Sequence, residues 1–291
     1  MIKSLENNQE AIIHPFSLME GEDWSLHNER RSKMLKFGFR EAIGRVIRQD
    51  PWEEQGIPTL TRIKETIDSG QKDLAKELVD YMWRYETMRL HDLFQHWIWA
   101  SQTYIGEKLG EEEVYNAIKK QAETWWMTPI MEKMADLPVE ELAMNRCEAM
   151  RCHPNGPGEW GDFEVTEEED RYVLTFRPCG TGGRMRTYCE IGNLPPRTEP
   201  PFNFGVTKKE YPWSWGKAGV PYYCCHCCIN NEIVPIEQIG YPLRVNDYRD
   251  EPTDGSCAWL FYKDPELIPE EYFTRVGKVK DPSRFRKKKK A

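Results

Sequence analysis

The chain has 291 residues, of which 39% are hydrophobic and 30% charged, and it carries a net charge of −8. This length is enough for one large domain or two modest ones, and the composition excludes a disordered chain. Basic residues are dispersed apart from the run at 286–290, which we interpret as a solvated terminus, so nucleic-acid binding is not predicted. No apolar run approaches the ~20 residues of a membrane span, and the first residues lack the apolar core of a signal peptide. We therefore expect a cytoplasmic protein whose nine cysteines are thiols or ligands.

Helical periodicity dominates the first half of the chain. The longest uninterrupted pattern lies between Gly70 and Gly106, where neither glycine nor proline occurs. Within it, Asp92 and His96 are four residues apart on one face, a spacing that suits metal binding or an acid–base pair. We favour the alternative of helix-face ion pairing beside aromatic side chains. Helices are predicted over 28–50, 59–67, 70–106, 111–135 and 139–152, and together they predict a helical bundle for residues 1–150.

The pattern changes at 152–158, and short alternating segments separated by turn residues follow. Strands are predicted over 162–165, 172–176, 184–191, 243–248 and 258–262, with a proline-rich loop over 194–205 and short helices over 233–239 and 269–276. The predicted fold class is α+β, with the N-terminal helical bundle followed by a cysteine-rich, mainly antiparallel β half over 151–291. Whether both halves share one core is left open.

A cluster of cysteines at 224–228 is the most informative stretch. It holds four of the nine cysteines and one of the six histidines in five consecutive residues. Cys224 with Cys227 and Cys225 with Cys228 form two overlapping C-x-x-C pairs, a spacing used by zinc, iron–sulfur and dithiol sites. The chain holds no other C-x-x-C pair, so single residues must complete any site. The alternative is a set of reduced cysteines packed as small hydrophobic side chains.

We predict that Cys224 and Cys227 bind zinc, or iron, together with His226 or Cys179. Cys179 opens a segment with three glycines, Gly180, Gly182 and Gly183, whose backbone N–H groups a carboxylate or phosphate can approach. A thiol beside cations and exposed amides favours its thiolate, so Cys179 is also a candidate nucleophile. A glycine hairpin turn between two strands is the alternative for this segment.

Five further residues, together with His226, complete the predicted site. Arg184 and Arg186 flank the glycines and are predicted to hold the substrate anion. Trp213 and Trp215 are predicted to wall a small organic substrate, with packing in the core as the alternative. His226 and Glu232 are the candidate catalytic acid or base residues, although an acidic residue near a metal also acts as a partner of its ligands.

Two resemblances follow from short motifs. The helical half leading through Arg146-Cys147 to the cysteine-led strand Cys257-Ala258-Trp259-Leu260-Phe261 resembles the L-2-amino-thiazoline-4-carboxylate hydrolase-like family. That resemblance implies a cysteine-dependent enzyme that opens a small heterocycle. The stretch Tyr223-Cys224-Cys225-His226 is similar to the end of organomercurial lyases, in which paired thiolates attack a carbon–mercury bond. No catalytic assignment is transferred from either family.

These features predict an enzyme of the hydrolase or lyase type that acts on a small, anionic organic molecule through a thiolate or a thiolate-bound metal centre. The alternative is a metal-stapled binding or sensor protein with a purely structural cysteine cluster. A dithiol redox carrier is a third interpretation, although no thioredoxin-like βαβ pattern surrounds the cluster. No membrane or nucleic-acid partner is expected, and a homo-oligomer is left open.

Overall fold

The computed structural model describes residues 36–126, 128–153, 161, 163–187, 194–250 and 257–287. Its first element is an antiparallel hairpin of β1 (Lys36–Arg40) and β2 (Arg45–Gln49), joined by a 3-10 turn. Gly44 ends that turn with φ of 60°, which glycine adopts without steric cost. The helix predicted over 28–50 is therefore wrong over 36–49, where two glycines weaken a helix, and its first residues lie outside the described ranges.

Six helices follow the hairpin within the described residues of the first half. They are α1 (Thr59–Asp68), α2 (Lys72–Tyr81), α3 (Met88–Leu109), α4 (Glu111–Gln121), α5 (Thr128–Asp136) and α6 (Val139–Arg151). A π-helical segment, Met82–Thr87, joins α2 to α3, and a second one, Ala122–Trp126, extends α4. The helices predicted over 59–67, 70–106, 111–135 and 139–152 are confirmed with small shifts of their ends. None of the described helices is both long and apolar enough to cross a membrane.

A four-stranded antiparallel sheet dominates the second half, in the order β3-β4-β6-β5. Its strands are β3 (Phe163–Glu167), β4 (Arg171–Phe176), β5 (Val245–Tyr248) and β6 (Cys257–Tyr262). The α+β fold class is thereby confirmed. The strand predicted over 184–191 is wrong over 184–187, because the glycine segment turns into the short helix α7 (Gly182–Met185) instead; residues 188–191 lie outside the described ranges.

A buried helix runs through the centre of the molecule. It comprises α8 (Cys225–Cys228), a π-helical segment (Ile229–Ile233) and α9 (Val234–Ile239), and every residue over 228–236 is buried. A helix that is buried on all sides belongs to the core of a protein. The prediction over 233–239 is confirmed, but the helix begins eight residues earlier, at Cys225. The final predicted helix is reduced to α10 (Glu271–Thr274).

One main core joins the helices to the sheet. The π-helical part of the central helix contacts α4 on one side and β5 on the other, and α9 contacts α5. The cluster of buried side chains includes Trp99 and Met131 from the helical half together with Leu174 and Phe261 from the sheet. Residues on both sides of position 150 thus contribute to the same core, with the cysteine cluster between them. The loop over 194–205 contains no helix or regular strand, as predicted.

Candidate thiolate site

The cysteine cluster occupies the first turn of the central helix. The backbone N–H groups of Cys224 and Cys225 both donate to the carbonyl oxygen of Pro221, which starts this turn. The thiols of Cys225 and Cys228 are fully buried and point at backbone carbonyls, with Cys225 Sγ 3.4 Å from Pro221 O and Cys228 Sγ 3.5 Å from Pro212 O. Burial raises the pKa of both thiols well above the usual value. These two cysteines therefore behave as packed, protonated thiols.

Cys227 and His226 form a partly exposed pair on the same turn. The ring atom His226 Nδ1 lies within hydrogen-bond distance of the Tyr223 carbonyl oxygen, which leaves Nε2 facing Cys227 Sγ at 3.6 Å. Burial alone would raise the pKa of Cys227, but the charges of His226 and Arg244 outweigh it and lower the pKa to about 7. The pKa of His226 is raised, because the Cys227 thiolate outweighs the effect of burial. A thiolate and an imidazolium are thus favoured together.

Two buried arginines lie close to this pair. Arg244 Nη2 is 3.8 Å from Cys227 Sγ, Arg244 Nε donates to Asn246 Oδ1 at 3.1 Å, and the guanidinium stacks 3.3 Å from the centre of the Trp259 ring. Burial lowers the pKa of Arg244 to about 9, so it remains charged at neutral pH. Arg146 on α6 is also buried and donates to Met134 Sδ at 3.5 Å.

Neither Arg146 nor Arg244 was predicted from the sequence as a site residue. A signal was present for Arg146, because it lies between Leu142 and Met150 at intervals of four residues, on the buried face of α6. Arg244 stands between two buried residues, Leu243 and Val245. Arginine is rarely buried without a functional or structural partner, so a basic residue within an apolar pattern is worth noting.

Cys179 comes close to the cluster, as the predicted site requires. Gly182, three residues after Cys179, lies against the cluster, since a Cβ atom added there would be 2.8 Å from Cys224 Sγ. The pKa of Cys224 is raised first by burial and then by the charges of Cys179 and Cys227. The pKa of Cys257 is raised well above the usual value, first by burial and then by the charges of Cys179, Cys224 and Cys227. The backbone N–H of Gly183 donates to Cys179 Sγ at 3.0 Å. Cys179 and the short helix α7 that follows it therefore lie beside the start of the central helix.

A metal ion fits only part of this arrangement. Tetrahedral zinc, with bonds of ~2.3 Å to sulfur and ~2.0 Å to nitrogen, holds two such ligands about 3.6 Å apart, which matches the Cys227–His226 separation. A zinc site needs at least three protein ligands, however. Within the described ranges, no group of three or more His, Cys, Asp or Glu side chains is arranged to hold an ion. The described residues therefore do not fit a zinc or iron site, and Cys189 lies outside them.

The two arginines predicted to bind substrate already have protein partners. Arg184 is buried, and its guanidinium pairs with both carboxylate oxygens of Asp92. Arg186 donates to the carbonyl oxygens of Arg249 and Asp250, and its guanidinium lies 5.1 Å from the Tyr248 ring centre. These contacts tie α7 to the long helix α3 and to the end of β5.

Asp92 belongs to a buried network, in which its described ion-pair partners are His91 and Arg184 rather than His96. His91 Nδ1 contacts Asp92 Oδ1 at 3.1 Å, and His91 Nε2 contacts His153 Nδ1 at 2.9 Å. Burial, and then the positive charges of neighbouring groups, lower the pKa of His153 to about 4. His96 instead packs edge-on against Phe202 and Phe204 of the proline-rich loop.

The remaining predicted residues lie in the core. Trp213 stacks on Tyr211 at 4.7 Å between ring centres, and Trp215 stacks on Tyr248 at 4.8 Å; both tryptophans are buried. Glu232 is fully buried, and its carboxylate accepts hydrogen bonds from Trp215 Nε1, from the backbone and side chain of Asn246, and from Arg275. Trp215 and Glu232 therefore contact each other. Glu232 lies on the central helix, more than one turn after Cys227.

Comparison with protein-family models, with curated proteins and with solved structures gave no match for this chain. The resemblances to the thiazoline-carboxylate hydrolase-like family and to organomercurial lyases therefore stay predictions. Function has to be inferred from the arrangement around Cys227.

Proposed function

We propose that the chain is a cysteine-dependent enzyme of the hydrolase or lyase type that acts on a small anionic organic molecule, with Cys227 as its nucleophile. The observation that carries this proposal is the 3.6 Å contact between Cys227 Sγ and His226 Nε2, in a pair that is partly exposed at the start of a buried helix. An adjacent histidine is a common activator of a nucleophilic cysteine.

Three features favour the thiolate at Cys227. The first is the imidazolium of His226, and the second is the guanidinium of Arg244 at 3.8 Å. The third is the helix itself, because the first turn of a helix presents partial positive charge, which lowers the pKa of a cysteine placed there. Together they provide a nucleophile at neutral pH, where an ordinary thiol with a pKa of about 8.5 is mostly protonated.

The chemistry that this pair supports is addition to an electrophilic carbon. The Cys227 sulfur forms a bond to the carbon of a C=O or C=N group, the electron pair of the broken π bond moves to oxygen or nitrogen, and His226 Nε2 supplies the proton to that atom. The electron pair then returns, the bond to the leaving group breaks, and the added proton departs with that group. Water attacks the resulting thioester or its C=N analogue and gives a proton to His226, and cleavage of the carbon–sulfur bond restores the thiolate. The net reaction is hydrolysis of the substrate.

Zinc or iron at the cysteine cluster remains a separate proposal, as does the metal-stapled binding protein that it implies. Elemental analysis of protein purified without chelator or metal-affinity resin tests it directly. A stoichiometric metal ion would require ligands beyond Cys227 and His226, since the described residues supply no third ligand. All eight described cysteines are free thiols, which a reducing compartment such as the cytoplasm would maintain.

The proposal is tested by competitive alkylation at pH 7, with a limiting amount of iodoacetamide and mapping of the modified cysteines by mass spectrometry. Cys152 is the reference, because it is exposed and its thiol lies 3.9 Å from the carbonyl oxygen of Glu148, with no described charged group paired to it. We expect Cys227 to be modified faster than Cys152 despite its lower exposure. Faster modification of Cys152 would contradict the proposal, and a Cys227→Ser variant confirms the assignment of the modified peptide.

A further inference from the structure

Arg146 and Arg244 are buried guanidinium groups without a carboxylate partner in the described part of the chain. Arg146 is 7% exposed and Arg244 is 6% exposed. The hydrogen bonds of Arg146 are limited there to the Met134 thioether, a weak acceptor, and those of Arg244 to Asn246 and the Cys227 sulfur. A buried cation is costly unless an anion pairs with it, so this arrangement calls for an explanation.

The two guanidinium charges beside Cys227 are not balanced by carboxylates. Arg146 and Arg244 both act electrostatically on Cys227, and neither forms an ion pair with an Asp or Glu side chain in the described ranges. The charge of Glu232 also acts on Arg244, but the Glu232 carboxylate is already paired with Arg275 at 3.0 Å. Buried Arg184 differs from Arg146 and Arg244, since Asp92 neutralises its charge.

We propose that Arg146 and Arg244 form an anion-binding subsite beside Cys227, and that its ligand is a small organic oxyanion with two negative charges, carried by carboxylates or by a phosphate group. This inference rests on the proposed function, because the ligand is the substrate that Cys227 attacks. Guanidinium groups suit this task, since they bind carboxylate and phosphate through paired hydrogen bonds.

Trp259 and Asn246 hold one half of the subsite in place. The Arg244 guanidinium stacks on the Trp259 ring at 3.3 Å, and its Nε is fixed by Asn246 Oδ1. Stacking and a single lateral hydrogen bond set the plane of the guanidinium, so little side-chain freedom is lost when an anion binds. The rigid position also holds the anion within reach of the sulfur that Arg244 contacts.

The test compares two alkylating reagents that differ in charge, the anion iodoacetate and the neutral iodoacetamide. In the wild-type protein we expect Cys227 to react faster with iodoacetate than with iodoacetamide, and exposed Cys152 to show no such preference. Replacement of Arg146 by methionine, or of Arg244 by glutamine, should reduce the iodoacetate preference roughly tenfold, as for the loss of a charge-assisted hydrogen bond. Arg249→Gln is the matched control, because it removes one positive charge from an exposed side chain near β5.

Protection experiments with wild-type protein identify the class of anion without relying on the folding of a variant. Malonate, inorganic phosphate and the monoanion acetate are each tested as protectors of Cys227 against iodoacetamide, and as ligands that raise the unfolding temperature. Protection by malonate alone indicates carboxylates, and protection by phosphate alone indicates a phosphate group; either supports the proposal. Protection by acetate equal to that by the dianions would overturn the assignment of two charges.

The two proposals fail in different ways. If Cys227 reacts rapidly with iodoacetamide but shows neither iodoacetate preference nor protection, the anion subsite is wrong and the nucleophile stands. If neither reagent modifies Cys227, the nucleophile is wrong, and the rise in unfolding temperature with phosphate or malonate then decides the subsite by itself. Retention of the iodoacetate preference in folded Arg146→Met and Arg244→Gln would also overturn the subsite.

Discussion

Two ionisable residues of the central helix, His226 and Glu232, occupy very different surroundings. His226 is partly exposed and meets a thiol, whereas Glu232 is fully buried and meets Trp215, Asn246 and Arg275. The four donors around Glu232 come from separate parts of the chain, so its carboxylate links the central helix to β5 and to the segment after α10. The structure thus supports a stabilising role for Glu232, and the predicted proton transfer stays a prediction.

Replacement of Glu232 by glutamine should destabilise the protein by about 2–4 kcal/mol, because it removes the buried counter-ion of the partly exposed Arg275 guanidinium. Urea unfolding followed by circular dichroism measures this change. The control is Glu167→Gln on the surface, where the partner Lys263 stays in water and no measurable change is expected. An unfolding free energy equal to wild type in Glu232→Gln would show that the ion pair does not support the core.

Gly182 explains why α7 can approach the cysteine cluster. A Cβ atom added at this position would lie 2.8 Å from Cys224 Sγ and 3.0 Å from the Tyr223 ring. Both neighbours are buried and have little room to shift, so Gly182→Ala should cost about 1–3 kcal/mol of stability. Gly56→Ala is the control, since nothing lies within 4 Å of the added carbon. Equal stability of the two variants in thermal unfolding would contradict this close approach.

At the scale of elements, the start of α4 anchors the segment that leads into the cysteine cluster. Glu111 accepts hydrogen bonds from the Tyr211 hydroxyl at 2.7 Å, the Tyr222 hydroxyl at 2.9 Å and the Lys208 backbone N–H at 2.8 Å. The pKa of Tyr211 is raised to about 12, mainly by the hydrogen bond to Glu111. One carboxylate thereby fixes the approach to the central helix.

Replacement of Glu111 by alanine should therefore destabilise the protein by about 3 kcal/mol, because the buried Tyr222 hydroxyl loses its acceptor. Urea unfolding checks the size of the loss. Glu113→Ala is the matched control, because it removes a carboxylate from the same helix turn. That carboxylate accepts a hydrogen bond from the exposed side chain of Asn116. If both variants lose the same small amount, Glu111 does not anchor this segment.

Element predictions from the sequence succeeded where one periodicity extends over many residues. The helix over 70–106 is the main example, because a long uninterrupted pattern leaves few alternatives. The strands predicted over 172–176 and 258–262 are also observed, as β4 and β6. The helix over 28–50 failed where Gly38 and Gly44 allow a hairpin instead. The strand over 184–191 failed because the glycines before it permit a tight buried turn, α7, that depends on contacts with Tyr223 and Cys224 distant in sequence.

At the scale of the whole molecule, one core carries both the helices and the sheet, and the site lies where they meet. The sequence located the cysteine cluster and Cys179, because rare residue types concentrated in short stretches are visible without a structure. It did not predict Arg146 and Arg244 as site residues, since Arg146 lies on α6, which packs against β6, and Arg244 directly precedes β5, which contacts the central helix. Pairings between distant segments are set by tertiary packing, which local patterns do not specify.

Stability of the whole molecule should fall in mild acid because of His153. Its pKa is about 4 in the folded protein and about 6.5 in an unfolded chain, so the unfolded state takes up a proton first as the pH falls. The contribution of His153 to the free energy of unfolding is complete above pH ~6.5 and is lost as the pH falls toward ~4. The unfolding free energy should fall by about 3 kcal/mol over this range.

Urea unfolding at a series of pH values measures this effect. Asp92, whose pKa is lowered by its hydrogen bond to His91 and its pairing with Arg184 in spite of burial, adds a loss in the same direction at lower pH. A His153→Gln variant should show a shallower decline between pH ~6.5 and ~4 than the wild type. An identical pH dependence in the two proteins would contradict the assignment to His153.

The central claim, that His226 holds Cys227 as a thiolate near neutral pH, is tested most directly by the pH dependence of Cys227 alkylation. The rate of iodoacetamide modification of Cys227 is measured in the wild type and in His226→Gln by mass spectrometry. We predict a midpoint at about pH 7 in the wild type and a shift toward or beyond the ordinary thiol value of about 8.5 in the variant. A wild-type midpoint at or above that ordinary value, or no shift on removal of His226, would contradict the account.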